Sequence, residues 1–210
     1  MKIPLLKDQD ATVLCSGPSV SEYSDDNTIA IVPNRSILLP HLVNFKKVIW
    51  LNGTGWKRPK VYSWWKELAL KVKIEPDYII ARKDNPNDHL SKEFGIFRKD
   101  FLNFFPQSSI TGIWEAPDRE MVSTGMSCIK LALDNSVKSI NISGMEMGAD
   151  TKYSSELMEM EVISKMGDDS FTRHLKADIK YLQSLNKNDI KKINPCKSSG
   201  LKKFLQSNEK

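Results

Sequence analysis

An α/β fold built on a doubly wound, mainly parallel sheet is predicted by three features of the sequence. Short apolar, β-branched runs recur along the chain, each run stops at a turn signal, and longer segments of helical period lie between them. Strands that are apolar at every position belong in a sheet covered on both faces, as parallel sheets are. Strands of that kind alternating with helices indicate the doubly wound, Rossmann-like class.

Taken in order, Ala11–Cys15 (ATVLC) enters Ser16-Gly17-Pro18-Ser19, and Thr28–Val32 (TIAIV) enters Pro33-Asn34. Lys47–Leu51 (KVIWL) enters Asn52-Gly53-Thr54-Gly55, and Asp77–Ala81 (DYIIA) enters a charged loop. Ser139–Ile142 (SINI) enters Ser143-Gly144. Helices are expected at Tyr62–Val72 and Thr124–Asn135, and at His174–Leu185, where apolar residues fall at 175, 179, 182 and 185. The polar, methionine-rich stretch 147–172 breaks this rhythm and reads as an insertion of short helices over the sheet, a lid. With no internal repeat and no low-complexity linker, the expected organisation is one core. Residues 1–146 form its nucleotide-binding α/β part, 147–172 the lid, and 173–210 a C-terminal helix, a last strand and a basic tail that complete it.

Composition narrows the class. A chain of 210 residues that is 40% hydrophobic can bury a sizeable core and is too apolar for a disordered protein. No run approaches the roughly 20 apolar residues of a membrane span, and the start, MKIPLLKDQD, turns polar too early for a signal peptide. Cys15, Cys128 and Cys196 lie too far apart for a disulfide framework or a CxxC clip, so a cytoplasmic location is expected. The formal charge of +5 resides entirely in residues 187–210, where seven lysines face Asp189 and Glu209. Leu201, Phe204 and Leu205 recur there at helical spacing, which suggests peripheral contact with an anionic membrane surface; a merely solvated tail reads equally well. Nucleic-acid binding fits worse, because the tail lacks interleaved aromatics apart from Phe204.

In open α/β sheets the ligand crevice lies outside the carboxyl ends of the strands. The candidates are therefore Ser16-Gly17-Pro18-Ser19, Asn34, Asn52-Gly53, Ser143-Gly144, and Ser123-Thr124-Gly125 at the head of a helix. Hydroxyls, amides and backbone N–H groups there could hold a nucleotide, with its phosphate at the helix N-terminus. Ser, Asn and Gly are also what turns and N-caps use, and each residue alone fits that reading. GxGxxG, GxxxxGK[ST] and GxSxG are absent, which argues against nicotinamide or flavin enzymes, P-loop NTPases and α/β-hydrolases. The three histidines show no metal-ligand spacing. His174, four residues before Asp178 at a helix start, is either a surface histidine or a general base. Glu115, Asp118 and Glu120 read as a solvated loop or as catalytic carboxylates.

The ordered set resembles the small bacterial CMP-sialic acid-dependent sialyltransferases, glycosyltransferase family 42, a GT-A variant fold with related Kdo transferases. The family's first turn, Gly-Asn-Gly-Pro-Ser, is matched by Cys15-Ser16-Gly17-Pro18-Ser19. Its strand-end asparagines are matched by Asn34 and Asn52, and its Thr-Ser-Gly by Ser123-Thr124-Gly125. Its Ser-Gly-Ile-Asp is matched by Ser143-Gly144-Met145-Glu146, and the histidine and Asp-Ile-Lys that follow the lid by His174 and Asp178-Ile179-Lys180. The correspondence runs from about residue 11 to residue 186. Ser16 replaces the family asparagine, Gly148 stands where a lid tyrosine belongs, and Tyr153 matches the second lid tyrosine only with a gap. The family arginine before Thr-Ser-Gly has no match in register.

The resemblance implies a metal-independent glycosyltransferase without a cofactor. It would move sialic acid, or alternatively Kdo, from its CMP-activated form to a glycan or glycolipid hydroxyl in the synthesis of bacterial lipooligosaccharide or capsule. Ser16, Gly17, Asn34, Asn52, Ser123, Thr124, Gly125, Gly144, Glu146 and Tyr153 would hold the CMP-sugar, and His174 would be the base. A catalytically degenerate relative that only binds the nucleotide is the other reading.

Overall fold

The computed structural model describes residues 2–23, 28–53, 59–83, 90–114, 122–147 and 174–207. In chain order its strands are β1 (Asp10–Leu14), β2 (Ile29–Pro33), β3 (Lys47–Asn52), β4 (Tyr78–Lys83), β5 (Ser109–Trp114), β6 (Ser139–Ser143) and β7 (Ile193–Pro195). The α-helices are α1 (Pro59–Ala69), α2 (Lys92–Phe104), α3 (Thr124–Asp134), α4 (Leu175–Ser184), α5 (Lys187–Lys191) and α6 (Gly200–Ser207). The strands form one sheet in the order β5-β4-β3-β2-β1-β6-β7, and every pairing is parallel. This is the α/β Rossmann-like architecture that the continuous apolar runs predict.

Side chains alternate across the sheet and build a core layer on each face. Leu14, Val32, Trp50, Ile79 and Ala81 point to the layer that holds α1 and α2, while Val13, Ile31, Leu51 and Ile80 point to the layer that holds α3, α4 and α6. The first layer is aromatic. Phe97 and Phe101 on α2 stack at 4.4 Å between centroids, and Phe101 reaches Trp50 of β3 at 5.5 Å. Phe101 is fully buried, so Phe101→Ala is expected to cost about 3 kcal/mol. In urea unfolding this appears as a lower midpoint at unchanged slope.

The helices start where their caps dictate. The hydroxyl of Ser91 accepts the Phe94 N–H for α2, and that of Ser123 accepts the Met126 N–H for α3. α1 begins and ends three residues earlier than its apolar period suggests, leaving Leu70 exposed in the following turn. Among the described residues, the connections from β1 to β2 and from β2 to β3 carry 3-10 turns, at Pro18–Glu22, Asn34–Leu38 and Pro40–Asn44.

The C-terminal segment differs most from its sequence reading. β7 pairs with β6, and α6 lies on the second core layer. Leu201 is fully buried, and Phe204 and Leu205 pack half-buried against the same layer. The apolar stripe assigned above to a membrane is therefore used inside the fold, and any contact with an anionic surface falls to the lysines alone. Among the described residues no helix is long and apolar enough to cross a membrane.

Candidate functional site

The strand order reverses beside β1: β2 lies on one side of it and β6 on the other, with Asp10–Leu14 in register with Ser139–Ser143. In open α/β sheets the ligand site lies outside the carboxyl ends of the strands at such a reversal. The two exits are zipped by main chain, with Cys15 N–H donating to the Ser143 carbonyl at 2.8 Å and Gly17 N–H to the Gly144 carbonyl at 2.9 Å. Gly144 has φ +75°, and a Cβ there would lie 2.4 Å from the Cys15 carbonyl oxygen. Only glycine fits both the backbone angle and the space.

Glu146 closes this junction. One of its oxygens accepts from Ser19 twice, from the N–H at 2.9 Å and from the hydroxyl at 2.5 Å. The other accepts the Gly200 N–H at 3.3 Å, at the head of α6. The Ser19 hydroxyl in turn accepts the Gly144 N–H at 3.0 Å. Both Glu146 oxygens are thus occupied by protein donors, and the carboxylate joins the β1 turn, the β6 exit and the last helix.

Asn34 and Asn52 end the neighbouring strands. Asn34 adopts φ +45°, its side-chain oxygen accepts the Gly53 N–H at 2.8 Å, and its carbonyl accepts from the Trp50 indole at 2.7 Å. Asn52 is fully buried, yet neither its amide oxygen nor its nitrogen has a hydrogen-bond partner. An unmet buried polar group costs about 1–3 kcal/mol, and native proteins retain few of them.

The head of α3 comes over these strand ends. A Cβ on Gly53 would stand 3.2 Å from the Thr124 hydroxyl and 3.4 Å from the Asn34 side-chain oxygen. One on Gly125 would meet the Cys15 sulfur at 2.9 Å and the Met145 methyl at 3.0 Å. Ser123 caps the helix, and its own N–H donates to the Asp178 carboxylate at 2.7 Å. In this arrangement the first-turn amides of Thr124 and Gly125 are the ones a helix leaves without an internal acceptor. Asp178 lies on α4, and His174, at the N-cap of α4, accepts the Asp178 N–H with its carbonyl at 3.0 Å.

Ser16, Gly17, Asn34, Asn52, Ser123, Thr124, Gly125, Gly144, Glu146 and His174 all belong to this one end of the sheet. Tyr153, Gly148, the acidic residues at 115, 118 and 120, and all of the 147–172 stretch except Met147 lie outside the described residues.

One member of the cluster escapes sequence reasoning. Arg82, near the carboxyl end of β4, is only 4% exposed and lies within electrostatic reach of Asp178. The signal was an arginine directly after the apolar run DYIIA; with the strand ended at Ala81, it reads as part of the charged loop. Burial raises the Asp178 carboxyl above its ordinary value, against the opposing pull of the Ser123 hydrogen bonds and of the His174 and Arg82 charges. Burial, and then the Asp178, Glu146 and Cys196 charges, push the Cys15 thiol far up, so it is an inert packing residue. The carboxyl end of the sheet thus offers hydroxyls, an unmatched amide, a helix N-terminus, a buried arginine and a histidine.

No protein-family model matches the chain, and no curated protein matches it. Solved structures do. The sialyltransferase CstII from Campylobacter jejuni, in complex with a substrate analogue, cytidine-5'-monophosphate, aligns over 94% of this chain and 84% of its own at 18% identity and a TM-score of 0.56. CstII in complex with a trisaccharide acceptor and CMP aligns over 93% and 84% at 19% identity and a TM-score of 0.59. Across nearly its whole length the chain therefore has the fold of the CstII sialyltransferase structures, and at this identity it is the fold that is shared.

Proposed function

We propose that this protein is a CMP-sugar-dependent glycosyltransferase that moves a keto-sugar, sialic acid first, onto a hydroxyl of a glycan acceptor. The observation that carries the reading is the convergence of the Asn34 side chain and the Thr124 hydroxyl on Gly53, next to the buried Asn52, at the carboxyl ends of the strands, in a fold whose solved neighbours were captured with CMP. The unmatched Asn52 amide and the Thr124 and Gly125 amides would receive the nucleotide and its phosphate. His174 would take the proton from the acceptor hydroxyl as that oxygen bonds to the anomeric carbon. The bond from that carbon to the phosphate oxygen then breaks, and CMP leaves with the electron pair. A single phosphate carries less charge than a diphosphate, so amide, hydroxyl and helix-end donors can stabilise it without a divalent metal.

A Kdo donor fits the same nucleotide site. A retaining Kdo mechanism would need a carboxylate nucleophile, and the hydrogen bonds that occupy both oxygens of Glu146 disfavour it in that role.

Thermal unfolding with CMP, UMP, AMP and NAD, each without added metal, tests the site. CMP is expected to raise the midpoint selectively, with a stabilisation near 2.7 kcal/mol at a hundredfold excess over its dissociation constant. Transfer assays with CMP-sialic acid and CMP-Kdo in the presence of a chelator follow. A shift with NAD alone would overturn the nucleotide assignment, whereas CMP binding without transfer or hydrolysis would identify a degenerate member.

A further inference from the structure

Among the described residues only three charged side chains are buried, Arg82, Glu146 and Asp178, and all three lie at the carboxyl-end side of the sheet. Glu146 is accounted for by its bonds to Ser19 and Gly200. Asp178 is not. It is 6% exposed, and it accepts the Ser123 N–H at 2.7 Å. A neutral asparagine could accept that same N–H at a smaller desolvation cost, so the bond to α3 does not explain the charge. The charges that act on Asp178 come from His174 at the N-cap of α4 and Arg82 of β4, and Asp178 in turn acts, with Glu146 and Cys196, on the Cys15 thiol at the end of β1.

His174 precedes Asp178 by one helical turn, which puts both on one face of α4. A histidine that accepts a proton becomes an imidazolium, and a fixed carboxylate nearby stabilises that form. Arg82 provides the opposite charge that makes a buried carboxylate tolerable there. We propose that Asp178 is a positioning residue: it docks α4 on the first turn of α3 and supplies the fixed negative charge that stabilises His174 once it holds the acceptor's proton. This role rests on the reading of His174 as the base of a CMP-sugar transferase.

The placement has a stability signature of its own. Asp178 binds its proton more tightly in the fold than in the unfolded chain, so its contribution is present at low pH and lost as pH rises through its folded value. Above that folded value the ionised group costs stability. Asp178→Asn keeps an acceptor for Ser123 and removes that cost.

The test follows CMP release from CMP-sialic acid and from CMP-Kdo against pH, with thermal unfolding of the same samples. For Asp178→Asn, kcat is expected to fall by about tenfold or more with KM little changed. The unfolding midpoint at pH 7 should equal or exceed that of the wild type, with the difference closing as the pH falls. A wild-type kcat in the variant would overturn the role of Asp178 alone. So would a loss of kcat that only tracks a lower midpoint, or one matched by an equal change in KM. A wild type that releases no CMP from either donor would overturn the transferase reading, and this role with it.

Discussion

Replacing His174 with alanine is expected to lower turnover of a CMP-activated keto-sugar by about 10²–10⁴-fold while CMP affinity stays near that of the wild type. The start of α4 does not depend on the imidazole as a cap. His174 is the N-cap residue of α4, but its side chain makes no capping hydrogen bond, and its bond to the Asp178 N–H comes from the backbone carbonyl, which alanine retains. The helix and its docking through Asp178 and Ser123 should survive the change, so a lost rate reads as lost chemistry. Single-turnover transfer at several pH values, alongside CMP binding by calorimetry, separates the two. Undiminished transfer by His174→Ala would mean that another group takes the proton.

The largest expected loss of stability comes from Gly200→Ala. A Cβ on Gly200 would lie 1.6 Å from the Glu146 carbonyl oxygen and 2.3 Å from its carbon. These are backbone atoms of the β6 exit, held by the Leu201 N–H on the Met145 carbonyl at 3.1 Å, and they cannot swing aside as a side-chain tip can. The helix must lift. It then gives up the burial of Leu201, worth about 2 kcal/mol, with part of that of Phe204 and Leu205. It also strips a donor from the buried Glu146 carboxylate, at about 1–3 kcal/mol. Together these come to about 5 kcal/mol, a large share of a domain's total stability. Urea unfolding of the variant measures it. A midpoint within experimental error of the wild type would show that α6 tolerates the lift.

Much of the sheet is written plainly in the chain, and the exceptions have physical reasons. β1 to β4 and β6 are covered on both faces, so their runs are apolar or β-branched nearly throughout. β5 (SITGIW) and β7 (INP) are the two edges of the sheet. An edge strand needs only part of its surface buried and tolerates glycine or proline; neither segment carries a continuous apolar signal. α2 was legible in principle, since Phe94, Phe97 and Phe101 recur at helical spacing behind the Ser91 cap, with Gly95 diluting the pattern. The membrane reading of Leu201, Phe204 and Leu205 shows the limit of an amphipathic stripe, which says that a face is buried but not against what.

The candidate site was legible as a set of strand-end residues, because a parallel sheet sends all its carboxyl ends to one side. What joins them was not. The placement of Arg82 from β4 within electrostatic reach of Asp178 from α4, and the joining of Ser19 and Gly200 through Glu146, depend on chain crossings that leave no local trace. The resemblance places Glu146 at the CMP-sugar, and no local pattern announces that its oxygens also accept from Ser19 and Gly200.

The pairing of β1 with β6 joins Asp10 to Ser139, so a central strand made early receives its second neighbour only after most of the chain exists. As synthesis proceeds from the N-terminus, β1 to β5 can assemble in sequence, because each joins the strand just before it. Until β6 arrives, β1 presents an unsatisfied row of N–H and C=O groups, the kind of open edge that recruits foreign strands. Contacts of such long sequence separation also form slowly. The nascent protein thus passes through an interval in which most of its sheet is built while the junction of β1 with β6 does not yet exist. That junction appears only with the last third of the polypeptide, and a ribosome that stalls before then leaves a sticky half-sheet behind.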